Sequence, residues 1–195
     1  MSASDTYHHG HLRSALLQEA SSVLEGSGAR SISMRDLARR LGVSHAAPRH
    51  HFPDRHALLS ALAADGFEML ADALEAAMAG PPDSWQTRTG RAYVRFAVDH
   101  PERYRLMFTT RINSGDCEER LAHHSHRAYM ALLKAVYGEG LAEIDPAHYR
   151  LGAPELQAWS LVHGAVMLWI DGQLDAATTE AEFLELVDDI TADPG

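Results

Sequence analysis

The chain of 195 residues contains a single cysteine, Cys117, so no internal disulfide can hold it, and a reducing compartment, the cytoplasm, is the expected setting. It also lacks a long apolar run. The longest, within Trp159 to Ile170, is too short and too interrupted to span a bilayer. Met1 to Gly10 carry no apolar stretch of the kind a secretory leader needs, so neither secretion nor a membrane partner is expected. Alternating strand-like patterns are missing as well. With them go the strand-borne G-x-S-x-G elbow and the phosphate-cradling glycine loop, which excludes the enzyme classes built on those motifs. Cys117 stands next to Glu118 and Glu119 without an activating cation in sequence, which argues against a thiolate nucleophile. No catalytic residue and no cofactor is assigned, and the protein is expected not to be an enzyme.

What is present is the composition of a folded protein: 46% hydrophobic and 23% charged residues, which excludes wholesale disorder. The net charge of −10 is unevenly spread. Residues 1–66 carry seven arginines against six acidic residues, a net of +1, which leaves −11 for residues 67–195. Within Arg30 to His56 there are six arginines against two aspartates, together with four histidines. A basic segment this compact keeps a nucleic-acid partner open despite the acidic whole.

Helical periodicity organises the chain. Leu12, Ala15, Leu16, Ala20, Val23 and Leu24 form a stripe that stops at Gly26-Ser27-Gly28. Ser33, with Asp36 three positions on, opens a second helix through Met34, Leu37, Ala38 and Leu41, which ends at Gly42. Gly42-Val43 is a turn, Ser44 caps a short third helix to about His51, and Phe52-Pro53-Asp54 breaks the chain before a helix from Arg55 to about Met78. Gly80-Pro81-Pro82-Asp83-Ser84 is the clearest linker. Beyond it the pattern predicts helices at Trp85–His100, Pro101–Phe108, Cys117–Tyr137, Pro154–Leu174 and Glu180–Ala192, with irregular stretches at Arg111–Asp116 and Gly138–Ala153. The fold class is all-α, with about nine helices and no internal repeat.

Met34 to Phe52 therefore holds two short helices joined by a glycine turn, with the local excess of positive charge on and around the second. This is the helix-turn-helix arrangement, in which a first helix braces a second that a DNA major groove is wide enough to admit. Ser44 and the helix N-terminus suit a phosphate; His45, Arg49, His50 and His51 can donate to phosphates or bases; Ala46 and Ala47 permit close approach. Ser33, Arg35 and Arg55 flank this insert and complete the expected DNA-binding set. Residues 1–56 are read as the DNA-binding domain and 57–195 as a second domain.

Residues Leu12 to Leu62 resemble the N-terminal region of TetR/AcrR transcriptional regulators, above all in Ser33-Met34-Arg35-Asp36-Leu37-Ala38, Leu41-Gly42-Val43-Ser44, His51-Phe52-Pro53-Asp54-Arg55 and Ala57-Leu58-Leu59. Tyr7-His8-His9-Gly10 and Trp159-Ser160-Leu161-Val162-His163-Gly164 are similar to the branch whose C-terminal region is named for its Trp, His and Gly. Where many members have an aliphatic residue followed by a phosphate-gripping tyrosine, this chain has Pro48-Arg49. Arg49 supplies a longer, charged donor for the same contact. Pro48 lacks an N–H and disfavours helical geometry at Ala47, so the third helix is expected to begin late or run as 3₁₀ in its first turn.

Trp159, Val162, His163, Val166, Met167 and Ile170 form one helical stripe, and Leu161, Ala165 and Leu168 form another on a different side. A helix apolar on two faces must be covered twice, once by its own core and once by a partner chain. With Phe183, Leu186, Val187 and Ile190 beside it, this gives the expected dimer interface: Leu161, Ala165, Leu168, Phe183, Leu186, Val187 and Ile190. The resemblance implies the same, a four-helix bundle made by two helices from each subunit. It further implies a C-terminal pocket for a small-molecule inducer, for which Tyr93, Phe96, Met107, Phe108, Tyr129, Met130, Trp159, His163 and Met167 are the candidate walls. The bland reading of His163 is a buried histidine with a satisfied hydrogen bond, and Gly164 beside it would allow close helix packing. The function implied is a homodimeric repressor released from a palindromic operator by an inducer, with the Arg55–Met78 helix as lever.

The rival class is a helical metal-binding protein or metalloenzyme, since Glu119, His123, His124 and His126 share one segment and Glu119 and His123 share a helix face. One pair is not a site, and no H-E-x-x-H, cysteine pair or repeated carboxylate–histidine motif supplies further ligands, so no metal is assigned. Tyr7-His8-His9-Gly10-His11 reads better as a DNA-proximal arm.

Overall fold

The computed structural model describes residues 4–109, 115–143 and 152–192. These form eight α-helices: α1 (Ser4–Ser27), α2 (Met34–Arg40), α3 (Arg55–Ala77), α4 (Trp85–Asp99), α5 (Pro101–Thr109), α6 (Gly115–Tyr137), α7 (Ala153–Ile170) and α8 (Glu180–Thr191). No strand occurs among the described residues, so the all-α expectation holds. Among the described residues no helix is long and apolar enough to cross a membrane. Helix α1 begins eight residues before the expected Leu12. Its first two turns have no apolar stripe, so hydrophobic periodicity could not see them.

Contacts divide the chain into two compact units, Met1–Gly66 with Glu102–His123, and Phe67–Pro101 with His124–Gly195. In the first, Leu16, Leu24, Leu37, Phe52, Leu58 and Leu62 are fully buried. Burying a side chain such as Phe52 stabilises by about 2–3 kcal/mol relative to leaving it in water. Arg103 of α5 is buried in the same unit, where its guanidinium donates to Glu25 (2.8 Å), to the Ser21 hydroxyl and to the Leu62 carbonyl. A charge taken out of water is tolerated only when paired and hydrogen-bonded in this way. Gly66 lets α5 approach α3, since a Cβ there would lie 2.7 Å from the Met107 sulfur.

The second unit is built on α4, α7 and α8, with parts of α3 and α6. Gly90 brings α4 against α8, where an added Cβ would lie 2.9 Å from the Thr191 methyl. Arg91–Asp188 (2.9 Å) and Arg95–Glu180 (2.8 Å) tie the rim of that contact. The buried Glu155 carboxylate closes the first turn of α7 by accepting from the Gly152 N–H, and it also accepts from the Tyr137 hydroxyl at 2.6 Å. That bond raises the Tyr137 phenol above its ordinary range. Helix α8 starts in a capping box, Thr179 with Glu182, whose bonds lower the Glu182 carboxyl.

Candidate nucleic-acid interface

Helix α2 is delimited as the sequence requires. The Ser33 side chain accepts from the Asp36 N–H at the N-terminus. At the other end Gly42 adopts φ +68°, the Gly42 N–H bonds the Arg39 carbonyl (3.2 Å), and the Val43 N–H bonds the Ala38 carbonyl (3.0 Å). That pair of bonds is a Schellman motif, which satisfies carbonyls the helix would otherwise leave open and turns the chain sharply.

The segment after the turn departs from expectation. The predicted α-helix from Ser44 to His51 is a turn followed by a 3₁₀ helix over Ala47–His50. Its bonds run mostly from residue i+3 back to i: Ala47 to Ser44 (3.0 Å), Arg49 to Ala46 (3.1 Å), His51 to Pro48 (3.0 Å). Pro48 is the cause. It has no N–H for the Ser44 carbonyl four residues back, and the Ala47 N–H takes that acceptor instead; the tight winding then continues to His51, beyond the first turn. Pro48 and Phe52 point inward and are buried, and the Arg13 guanidinium lies 5.1 Å from the centre of the Phe52 ring, anchoring the segment to α1. Ser44, His45, Ala46, Arg49 and His50 face outward, whereas Ala47 and His51 are half-buried.

Arg35 is exposed and Ser33 half-buried; with His45 and Arg39 they line one open groove beside the turn. Arg39 was not among the sequence-based candidates, although its place in the last turn of α2 was visible. Arg55 is used differently from the other arginines: its guanidinium donates to the carbonyls of Ile32 (2.9 Å) and Ala29, closing the loop before α2. Arg40 pairs with Glu19 at 2.8 Å and Arg39 with Asp36 at 3.6 Å. Arg30, Arg35 and Arg49 have no carboxylate partner among the described residues, so their charge faces solvent. The side chains of Tyr7, His8 and His9 lie outside the described residues, as does that of Cys117.

In the second unit the structure gathers part of the expected sensor set. The Trp159 N–H donates to the Tyr93 hydroxyl oxygen (3.3 Å), which is 3.1 Å from His163 Nδ1. Burial lowers the His163 pKa, so the ring is neutral near pH 7, and with its proton on Nε2 it accepts the Tyr93 O–H. Phe96 is buried against His100, while Tyr129 and Met167 are half-buried in the same unit. Met107 and Phe108 belong to the first unit: Met107 packs on Gly66 and Phe108 on Tyr104.

Of the residues expected at a dimer interface, Leu161, Leu168, Leu186 and Ile190 are exposed, Leu186 by 53%, and Ala165 is half-buried. Phe183 and Val187 are corrections. Both are buried in the protomer, Phe183 stacked on Trp169 with ring centres 4.6 Å apart. They sit on the inner side of α8 with Leu184 and Thr191, so only Leu186 and Ile190 of that stripe remain outside. His124 turns to Glu68 (3.8 Å), Glu119, His123 and His126 are exposed, and no three metal-ligating side chains converge among the described residues.

Two family models match the chain: residues 16–62 match the bacterial regulatory proteins of the tetR family, and residues 86–190 the tetracyclin repressor-like C-terminal domain. No curated protein shows a significant match. Among solved structures, a protein of unknown function from Rhodococcus sp. RHA1 is 34% identical with a TM-score of 0.75, over 95% of this chain and 96% of its own. The TetR family transcriptional regulator PfmR from Thermus thermophilus is 21% identical with a TM-score of 0.63, over 92% of this chain and 98% of its own. AibR, solved with isovaleryl coenzyme A and operator DNA, is 17% identical with a TM-score of 0.61, over 93% of this chain and 96% of its own; these last two share the fold. A capped brace, a glycine turn and an outward arginine edge thus coincide with a C-terminal match spanning more than half of the residues, and the chain belongs to the TetR family of bacterial transcriptional regulators.

Proposed function

We propose that the protein is a homodimeric repressor that leaves an inverted-repeat operator when a small, partly apolar molecule binds its C-terminal domain. Residues 1–56 read DNA, residues 57–195 sense and dimerise, and the protein works in the cytoplasm by binding alone, without catalysis. The observation that carries this reading is the edge made by Ser44, His45, Arg49 and His50, outward-facing and braced by α2, with the Arg49 charge unspent within the described structure. Ser33 and Arg35 extend it to the backbone; Ala46, and Ala47 beside it, let the duplex come close. Arg55 serves the same interface from behind, by holding the loop before α2, and half-buried His51 stands at its end.

Dimerisation rests on Leu161, Leu168, Leu186 and Ile190, large apolar side chains left in water by an isolated protomer. At Gly164 an added Cβ would meet nothing within 4 Å in the protomer, which leaves the surface of α7 there open to a partner helix. Twofold symmetry then sets two reading edges about one DNA turn, ~34–36 Å, apart. Tyr93, Trp159 and His163 form the polar core of the sensor, and α3, which contributes to both compact units, carries the coupling. AibR provides the precedent of one TetR-fold protein holding both an organic ligand and operator DNA. Selection of bound sequences from a random duplex library tests the whole: a single inverted repeat is expected, and recovery of unselected sequences would refute it.

A further inference from the structure

The reading edge is poor in permanent charge. Arg35 and Arg49 are its guanidinia without a carboxylate partner among the described residues, since Arg39 lies toward Asp36, Arg40 pairs with Glu19 and Arg55 is spent on carbonyls. Two histidines complete it. His45 and His50 are exposed, and neither has a hydrogen-bond, ion-pair or ring partner among the described residues. Histidines elsewhere are committed: His100 packs on Phe96, His124 turns to Glu68 and His163 meets the Tyr93 hydroxyl. Around His45, α2 presents Arg35, Asp36 and Arg39 to the same open groove, with Asp36 drawn to Arg39 at 3.6 Å. The 3₁₀ segment that carries His50 packs on α1 and α2. Of the charged side chains on those helices, Arg13 turns to the Phe52 ring, Glu19 and Arg40 pair with each other, and Glu25 accepts from Arg103. Arg49 and half-buried His51 flank His50 in the chain, and Asp54 further on caps α3 by accepting the Ala57 N–H. Neither ring is therefore paired with a carboxylate among the described residues.

We propose that His45 and His50 make operator binding proton-linked: each ring takes up a proton as a backbone phosphate comes within hydrogen-bond reach, so affinity for DNA rises as pH falls. The inference rests on the DNA-binding reading above and adds a regulation of that same edge. Histidine is the side chain whose charge changes between about pH 5 and 8, and an anion beside it favours the imidazolium, which donates from both nitrogens. The gain is large for this edge. Its two free guanidinia become four free cations per subunit when both rings are charged, in a chain whose net charge of −10 otherwise opposes a polyanion. The sign follows from linkage, because a group that holds its proton more tightly in the complex than in the free protein draws the complex forward as protons are added. Acidification then tightens repression with no effector present.

The test uses the full-length protein and the inverted repeat recovered by duplex selection, with affinity read by fluorescence anisotropy across pH at fixed salt. An opposite charge nearby shifts a histidine by about one unit or more, which is up to about tenfold in affinity per ring. With two rings per subunit, the dimer should bind roughly a hundredfold more weakly at about pH 8 than at about pH 6. Calorimetry in two buffers of different ionisation enthalpy should show net proton uptake on binding. The double variant His45→Gln with His50→Gln keeps His11, His51 and His56 and cannot charge either edge position, so it should lose most of the pH dependence and of the uptake. His45→Lys with His50→Lys, charged throughout, should bind at about pH 8 as the wild type does at about pH 6. Both positions are exposed, so the helical circular-dichroism signal should not change in either variant. A wild-type affinity independent of pH, or a dependence that survives intact in the glutamine variant, would overturn the proposal. The two readings fail separately. Specific binding that ignores pH would remove the proton linkage and keep the repressor, whereas no preference for any inverted repeat even at about pH 6 would remove the DNA-binding reading itself.

Discussion

Arg49 offers the sharpest test of the DNA-binding edge. Its side chain is exposed on the 3₁₀ segment, it has no carboxylate partner among the described residues, and the segment beneath it is pinned by buried Pro48 and Phe52. Replacing it with alanine should therefore leave the fold untouched and remove one phosphate contact per subunit. Each neutralised phosphate contributes about 0.9 to the slope of log K against log salt, so a dimer losing two contacts should show a slope shallower by about 1.8. Between about 50 and 200 mM salt the wild type should then lose roughly twelvefold more affinity than Arg49→Ala. Fluorescence anisotropy on the selected operator over a salt series measures this directly. Arg40→Ala is the control: that guanidinium is already paired with Glu19, so its slope should stay near the wild-type value. An Arg49→Ala slope equal to wild type, with binding otherwise weakened, would show that Arg49 reads something other than phosphate and would break the link between exposure and function.

Gly42→Ala should destabilise the protein by about 1–2 kcal/mol in urea unfolding, entirely through the backbone, because a Cβ there meets nothing within 4 Å while φ is +68°; an unchanged midpoint would mean the turn relaxes. His163 is held neutral by burial, so the unfolded chain takes up its proton at higher pH than the folded one does. Its contribution to stability is complete above about pH 6.5 and is lost as pH falls from there through the lowered folded value; His163→Gln should flatten that part of the stability–pH curve, and identical curves would refute the assignment. Leu186→Glu should shift sedimentation equilibrium toward monomer at micromolar concentration while leaving the helical circular-dichroism signal intact, since Leu186 is exposed in the protomer. A dimer of unchanged affinity would remove α8 from the seam.

Much of the fold was legible because its signals are local. Stripes, caps and glycine stops placed α2 to α8 within a few residues, and Ser33, Asp54 and Thr179 cap their helices through their own side chains. The Ser44–His51 segment was misjudged in extent because Pro48 was expected to tighten only the first turn, whereas the 3₁₀ bonding continues to His51. Arg55 looked like any other arginine of the basic cluster. Only the approach of the Ala29 and Ile32 carbonyls shows where its donors go. On α8, Phe183, Leu186, Val187 and Ile190 fit one apolar stripe at helical spacing, yet α4 and Trp169 cover just two of them. The buried Thr89 hydroxyl of α4 carried no signal in the sequence, since threonine in an amphipathic helix reads as ordinary.

By itself the sequence determined the class of fold, the brace–turn–reader order and the confinement of basic charge to residues 30–56, because each depends on residues within a turn or two of one another. Tertiary structure decided which arginines still have charge to offer and which apolar residues of α7 and α8 remain uncovered. It also decided that the buried Thr89 hydroxyl would have no hydrogen-bond partner among the described residues. Those outcomes depend on what lies across the space between helices, and a one-dimensional pattern does not encode which distant groups arrive there first.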